Sequence, residues 1–200
     1  MESPQERQMG HEEQRRPREE IAIVLDFLPN GYPLEGRGHP QNAVVQSLGK
    51  TRFALLELVP KKDVTLQLLE EVYIGDGKRD KIHHIAGRLA YTRLTQTART
   101  ELEFVLDDII TKNEARFIEF YNKAPPLSTR MHSLELLPGL GKKRMWDIIN
   151  ERKVKPFASF QDIRDRVKLM PDPKKTIIQR ILGELQGKDK HAFFVDRARE

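Results

Sequence analysis

Cysteine is absent from the 200-residue sequence, which excludes disulfides, thiolate zinc sites and a cysteine nucleophile. Long apolar runs are also missing. The longest, residues 21–28, contains Asp26 and is far shorter than the roughly 20 residues of a membrane-spanning helix. Residues 1–20 lack the apolar core of a signal peptide. We therefore expect a soluble cytoplasmic protein with no membrane partner, and no motif indicates a cofactor.

The charge of the chain is unevenly distributed. Charged residues make up 32% and hydrophobic residues 38%, a balance that favours a folded core over general disorder. The net charge is only +5, yet residues 138–200 hold 16 basic and 9 acidic residues. A basic C-terminal third favours a polyanionic partner. A lysine-rich surface that is merely solvated would have the same composition.

The first half of the chain is typical of β-structure. Residues 1–20 are polar and interrupted by proline and glycine, which indicates a disordered N-terminal arm. Residues 21–94 contain five short β-prone segments, at 21–28, 43–48, 51–59, 71–75 and, with mixed periodicity, 81–94. The second and third are expected to form a hairpin across a tight turn at Gly49 and Lys50. Because closure removes unpaired edges, this part predicts a small antiparallel barrel.

The second half is helical. Residues 95–125 predict one or two linking helices, because Leu102, Leu106 and Ile109 fall on one face. Thr100 and Glu103 have the spacing of a capping box at the start of this segment. Residues 126–187 are expected to form a separate all-α domain, and residues 188–200 a C-terminal tail. The fold class is therefore α+β with more than one domain.

The strongest chemical signal lies in residues 133–153. A short predicted helix runs to Pro138, a turn with Gly139 and Gly141 follows, and a new helix begins at about Lys142. Glycines let another molecule approach the backbone, and the amides and dipole of a helix start attract anions. The first turn of the new helix carries three cations, Lys142, Lys143 and Arg144. Cations are unfavourable there without an anion, so the pattern indicates a bound phosphate. An ordinary helix–helix turn with a glycine cap is the alternative.

This stretch resembles a helix-hairpin-helix motif, which binds nucleic-acid backbones without sequence preference. The resemblance is carried by Leu134-x-x-Leu137-Pro138-Gly139-Leu140-Gly141-Lys142-Lys143 and by the apolar Met145, Ile148 and Ile149. It implies phosphate-binding amides at Gly139, Leu140, Gly141 and the residues that follow. It also implies a monovalent cation at the carbonyls of Glu135, Leu137 and Leu140. No other metal site is expected.

Residues 159–182 resemble a second, degenerate hairpin. Pro171-Asp172-Pro173 replaces the two glycines, and two cations, Lys174 and Lys175, follow. Asp172 repels phosphate and Pro173 has no amide hydrogen to donate. We therefore expect this unit to be mainly structural, with Lys174 and Lys175 as auxiliary nucleic-acid contacts.

The order of the parts resembles an archaeal family of unknown function whose members look like RNA-binding proteins. The likeness rests on the stretches 55–62, 72–75, 132–139 and 156–160. It implies an OB-like barrel, a fold that often binds single strands. The barrel segment mixes cations with aromatic residues, so we expect secondary contacts at Arg52, Lys78, Arg79, Lys81, Arg88, Tyr91 and Arg93. Phe53 and Tyr73 could add stacking or could belong to the core.

These patterns predict a nucleic-acid-binding protein without a catalytic centre, with RNA favoured over DNA. No nucleophile elbow or complete P-loop is present. A protein-interaction adaptor is the alternative, in which an acidic helical face docks a partner through Glu101, Asp108 and Glu119. A nuclease would require a carboxylate cluster that the sequence does not indicate. The oligomeric state is left open.

Overall fold

The computed structural model describes residues 19–32 and 42–196. Most of the predicted N-terminal arm and the last four residues of the predicted tail lie outside the described residues. Five strands precede five α-helices, which confirms a mixed α+β fold. The strands are β1 (Ile21–Leu28), β2 (Val44–Gly49), β3 (Leu55–Pro60), β4 (Glu71–Tyr73) and β5 (Ile82–Arg88). The helices are α1 (Gln96–Lys112), α2 (Glu114–Lys123), α3 (Lys142–Val154), α4 (Phe160–Arg166) and α5 (Pro173–Leu185).

All five strands form one antiparallel sheet in the order β4-β1-β2-β3-β5. The predicted hairpin is confirmed, because β2 pairs with β3 and Val45 lies opposite Leu58. The turn is longer than the predicted two residues. The amide of Gly49 donates to the carbonyl of Ala54 at 2.8 Å, and Phe53 between them is fully buried with φ 55°.

The sheet is a curled half-barrel rather than the closed barrel that the sequence predicted. β4 and β5 are its edges, and no ladder joins them in the part of the chain that the structure describes. β4 has only three residues, and such a short edge strand offers few unpaired backbone groups to another chain. The chain between the edges turns sharply, and the Nε of Arg79 donates to the carbonyl of Gly75 at 2.9 Å.

The fifth β-prone segment is shorter than expected. β5 ends at Arg88, and residues Tyr91–Arg93 form a 3₁₀ turn before α1. Leu89 and Leu94, on either side of that turn, are both buried in the core. The mixed periodicity of residues 81–94 therefore reflects a strand followed by a turn.

The linking segment consists of two helices. The predicted apolar face of α1 is buried, including Leu102, Leu106 and Ile109. The start of α1 differs from the predicted capping box, because the side chain of Thr95 accepts the amide hydrogen of Ala98 at 3.0 Å. The cap therefore lies five residues before Thr100, which leaves Thr100 inside the helix.

One apolar core joins the parts that the sequence separated into domains. It runs from the sheet residues Leu25 and Leu48 through α1 and α2 to Ile148 and Ile181 in the helical region. The buried hydroxyl of Tyr121 on α2 also donates to the carbonyl of Pro173 at 3.0 Å. Hydrogen bonding and apolar packing thus hold the sheet, the linking helices and the hairpins together.

The C-terminal segment packs against the same core. Phe194 is 9% exposed, and its ring lies 4.9 Å from that of Phe120. The buried carboxylate of Glu184 accepts the amide hydrogens of Phe193, Phe194 and Val195, each at 2.9–3.0 Å. Residues 188–196 are thus folded onto the helical region, and only 197–200 of the predicted tail lie beyond the described chain.

Candidate nucleic-acid interface

The predicted bend lies between residues 137 and 141. A 3₁₀ turn, Ser133–Leu136, precedes it where the sequence predicted a short helix, and α3 begins at Lys142 as expected. Leu140 is 4% exposed, and its amide donates to the carbonyl of Leu137 at 3.1 Å. Leu140 therefore anchors the bend, while Gly139 and Gly141 on either side of it are exposed.

The two glycines serve different purposes. Gly139 has φ +76°, a conformation that favours glycine, and a Cβ there would lie 3.4 Å from the Cγ of Pro171. Gly141 has φ −81°, which any residue can adopt. No atom lies within 4 Å of a Cβ built at Gly141. The fold therefore requires Gly139. At Gly141, by contrast, the absence of a side chain leaves the space next to the backbone unoccupied.

The start of α3 differs from that of the helices capped by side chains. Thr95, Ser159 and Asp172 each accept an amide hydrogen at the start of α1, α4 and α5. At α3 the cap residue is Gly141, no side chain caps the helix, and its first turn contains no acidic residue. The first amides of a helix have no acceptor within it. At α3 no described side chain accepts from them, and they lie at the positive end of the helix dipole.

The three predicted cations of this turn have different surroundings. Lys142 and Lys143 are exposed and make no ion pair within residues 19–32 and 42–196. Arg144 is half-buried, and its Nε donates to the carbonyl of Leu169 at 3.1 Å. Its guanidinium also lies 3.7 Å from the carboxylate of Asp147. The two lysines remain available to an anion, while Arg144 connects the two hairpins.

The second hairpin has an occupied helix start. A carboxylate oxygen of Asp172 accepts the amide hydrogen of Lys175 at 3.1 Å and caps α5. The side chain of Lys174 pairs with Asp107 on α1 at 2.7 Å. Lys175 is exposed. Of the two predicted auxiliary cations, Lys175 is therefore the accessible one.

The expected monovalent-cation ligands lie around the same bend. The carbonyl of Leu137 already accepts the amide hydrogen of Leu140. Since a carbonyl oxygen has two lone pairs, one remains for another contact. The cation site at Glu135, Leu137 and Leu140 stays a prediction.

Most of the predicted barrel cations have partners within the protein. Arg52 and Arg88 both approach the carboxylate of Asp196, at 3.8 and 2.9 Å. Lys81 pairs with Glu70 on the segment before β4. These contacts hold the C-terminal segment and the sheet edge in place, so the side chains are only partly available to a ligand.

The remaining barrel residues lie at separate places. The guanidinium of Arg93 lies 5.0 Å above the ring of Tyr32 and 3.8 Å from the carboxylate of Glu57. Tyr91 lies under the guanidinium of Arg99 at 5.7 Å. Lys78 is exposed and makes no ion pair with any described residue.

The two aromatic residues considered with them also differ. Phe53 is fully buried and therefore belongs to the core, whereas Tyr73 is 38% exposed. The hydroxyl of Tyr73 accepts the amide hydrogen of Gly77 at 3.1 Å. An aromatic surface on the barrel would thus have to use Tyr73 rather than Phe53.

Sequence reasoning missed Trp146 and the buried pair of Arg180 and Glu184. Trp146 is 55% exposed on α3, and its position four residues after Lys142 was a usable signal. The side chains of Arg180 and Glu184 are almost fully buried, and Arg180 Nε lies 2.9 Å from Glu184 Oε1. Their spacing of four residues on an otherwise apolar helix face was the corresponding signal.

His132 caps the 3₁₀ turn before the bend. Its Nδ1 accepts the amide hydrogen of Leu134 at 3.1 Å, which requires the ring to be unprotonated at that nitrogen. Burial, followed by the positive charge of Arg152, lowers the pKa of His132 below its usual value. The neutral imidazole is therefore the form that supports this turn.

Two further features are absent from residues 19–32 and 42–196. No three histidine, aspartate or glutamate side chains come close enough together there to hold a metal ion. Over the same residues, none of the helices combines the length and the apolar character needed to traverse a bilayer.

Comparison with known proteins identifies the relatives of this chain. An uncharacterized protein of Methanocaldococcus jannaschii, MJ0038, is 46% identical over 179 residues, which cover 88% of this chain and 80% of that protein. The crystal structure of Af1531 from Archaeoglobus fulgidus superposes with a TM-score of 0.80 at 43% identity. The match covers 89% of this chain and all of that one. The profile of the DUF655 family, described as proteins of unknown function, matches residues 18–196. The chain therefore belongs to the DUF655 family.

Proposed function

We propose that the protein binds nucleic acid, with RNA favoured, by holding the sugar-phosphate backbone at the start of α3. The observation that carries this proposal is the uncapped start of α3, where exposed Gly141 borders open space and Lys142 and Lys143 have no ion pair. The open amides donate hydrogen bonds to a phosphate oxygen, and the two ammonium groups neutralise adjacent phosphates. None of these contacts reads a base, so binding should be independent of sequence.

The proposed role is non-catalytic. The helix-hairpin-helix character of residues 133–153 and the OB-like character of the half-barrel are part of the same proposal. Lys175 and Lys78 are the accessible cations that could extend the contact. We place the protein in the cytoplasm, where RNA is abundant.

Salt dependence provides a quantitative expectation. If Lys142, Lys143 and Lys175 neutralise about three phosphates, log affinity should fall with log salt at a slope of roughly −2 on single strands. A slope near zero would contradict a backbone-binding mechanism. The expected slope is small because Arg144 and Lys174 already have partners within the protein.

Two substitutions at one position provide the sharpest test. Gly141→Asp adds a good helix cap whose carboxylate would occupy the proposed phosphate position. Gly141→Asn adds an equally good cap without the charge. The free surroundings of Gly141 and its φ of −81° allow both side chains.

Both variants should be at least as stable as the parent protein. We expect Gly141→Asp to bind an RNA oligonucleotide much more weakly than Gly141→Asn in fluorescence anisotropy. Equal affinities of the two variants would show that no phosphate is held at this helix start.

The adaptor alternative has less support from the geometry. The carboxylates of Asp108 and Glu119 on its proposed acidic face pair with Lys112 and Lys123 at 2.7 and 2.6 Å. These pairs reduce the negative charge offered to a partner. Unchanged function after neutralisation of Lys142 and Lys143 would favour the adaptor.

A further inference from the structure

The exposed face of α3 contains a stripe that begins at the bend. Lys142, Trp146 and Asn150 are spaced four residues apart, so they lie one above another on the helix. Lys153 lies close to the same line, since it follows Lys142 by eleven residues, which make slightly more than three full turns. All four are exposed. An aromatic ring is therefore flanked by cations along a face with no partner among the described residues.

The place of Trp146 on α3 lies one turn after the proposed phosphate position. Long side chains on a helix lean toward its N-terminus and cover the preceding turn. Trp146 is four residues after Lys142, a rise of about 6 Å. By this tendency the indole is expected over the first turn of α3, on the side of Lys142 and Lys143. The nearest carboxylate in sequence, that of Asp147, is directed toward the guanidinium of Arg144 at 3.7 Å.

Another exposed aromatic residue provides a contrast. Phe104 on α1 is 62% exposed, slightly more than Trp146 at 55%. Its neighbours one turn away are the acidic residues Glu101 and Asp108. Phosphate would be repelled from that surface and attracted to the surface around Trp146. The charge around the ring, rather than the exposure of the ring alone, therefore distinguishes Trp146 from Phe104.

We infer that Trp146 stacks on an unpaired nucleobase of the strand whose phosphate is held at the start of α3. This inference rests on the proposed function and adds the class of ligand. An indole stacks on the face of any base, so the contact preserves sequence independence. In a duplex both faces of a base are covered by its neighbours. The ligand is therefore single-stranded or looped nucleic acid.

The protein carries its own probe, because Trp146 is its only tryptophan. Stacking on a base quenches indole fluorescence. The unmodified protein should be titrated with three RNA probes of equal length: a single strand, a duplex, and an abasic strand with the same phosphates. We expect strong quenching with the single strand and little with the abasic strand or the duplex.

Variants separate stacking from charge. Trp146→Leu should weaken binding of the base-bearing strand at least about fivefold and leave the abasic strand unaffected. Trp146→Phe should retain most of the affinity, because its ring still stacks. Phe104→Leu is the matched control and should change neither affinity.

The stacking inference would be overturned if the base-bearing strand bound without quenching, or if Trp146→Leu weakened both strands equally. In either case, if Gly141→Asp lost affinity for RNA and Gly141→Asn kept it, the proposed phosphate site at the start of α3 would still be supported. Failure of all three probes to bind at low salt would overturn the proposed function and the stacking contact together.

Discussion

Arg144 and Leu169 join the two hairpins: the Nε of Arg144 donates to the carbonyl of Leu169 at 3.1 Å. Leu169 has φ 58°, so its carbonyl is presented from a tight turn. Pro171, two residues later, lies near Gly139, since a Cβ built on that glycine would be 3.4 Å from the Cγ of Pro171. The open bend and the capped bend are therefore neighbours, and one of the three cations at the start of α3 has a structural role.

Removal of the Arg144 side chain should affect mainly the free energy of unfolding rather than the binding of RNA. We expect Arg144→Ala to reduce the free energy of unfolding by about 0.5–1.5 kcal/mol, the usual worth of such a hydrogen bond. Urea denaturation measures this change. Lys143→Ala is the control and should leave the urea midpoint nearly unchanged.

The effects of these two variants on RNA binding should have the opposite order to their effects on stability. Lys143→Ala should weaken RNA binding and reduce the steepness of the salt dependence by about 0.7 on single strands. Arg144→Ala should leave that slope nearly unchanged, because its guanidinium already has partners within the protein. Equal changes of the salt slope in both variants would contradict a binding role for Lys143 and a structural role for Arg144.

Asp172 should weaken nucleic-acid binding through its charge. Asp172→Asn keeps an oxygen that can accept the amide hydrogen of Lys175, so α5 remains capped. We expect the stability to change by less than about 0.5 kcal/mol and the affinity for RNA to rise. Unchanged affinity at low salt would indicate that the strand does not pass near α5.

Glu184 should be one of the most sensitive positions of the fold. Its buried carboxylate accepts a hydrogen bond from Arg180 and from three consecutive backbone amides. Glu184→Ala would leave a buried guanidinium without this partner, and we expect a loss of about 3 kcal/mol or more. The amides of residues 193–195 should then exchange hydrogen faster. Glu119→Ala on the exposed face of α2 is the control and should have no measurable effect on stability.

His132 should make stability depend on pH. Its pKa is lowered in the folded protein, so the unfolded chain binds more protons once the pH falls below the usual histidine pKa. Stability from this group is therefore complete above about pH 6.5 and decreases as the pH falls toward its folded pKa. His132→Asn retains a capping oxygen but does not titrate.

The difference between the unfolding curves of the parent protein and His132→Asn, measured from pH 8 to pH 5, isolates this contribution. The resonance of His132 should also titrate at lower pH than free histidine. If His132→Asn lost stability on acidification as steeply as the parent protein, His132 would not be the source of this pH dependence.

Much of the fold follows from local patterns. The alternation in residues 21–28 predicted β1, and the period of Leu102, Leu106 and Ile109 predicted the buried face of α1. The start of α3 at Lys142 followed from two glycines and a proline. The start of α1 was misplaced, because Thr95 and Thr100 are both possible caps and only the contact with Ala98 distinguishes them.

Closure of the sheet and independence of the domains could not be predicted in the same way. Whether β4 and β5 meet depends on the curl of the sheet, to which all its strands contribute. The core that joins Leu25 to Ile181 depends on contacts far apart in sequence. The role of the C-terminal segment depended on the hydrogen bonds of Glu184 to the amides of residues 193–195, which the local spacing of Arg180 and Glu184 does not specify.

The sequence by itself determined the strands, the helices and the glycine bend, because these depend on side-chain periodicity and on the backbone angles that each residue allows. Only the tertiary structure decided which cations remain available. Lys174 pairs with Asp107 and Arg88 with Asp196, while Lys142 and Lys143 have no such partner among the described residues. Long cationic side chains take the carboxylates and carbonyls that folding brings within reach, and the chain order of a protein does not specify those distances.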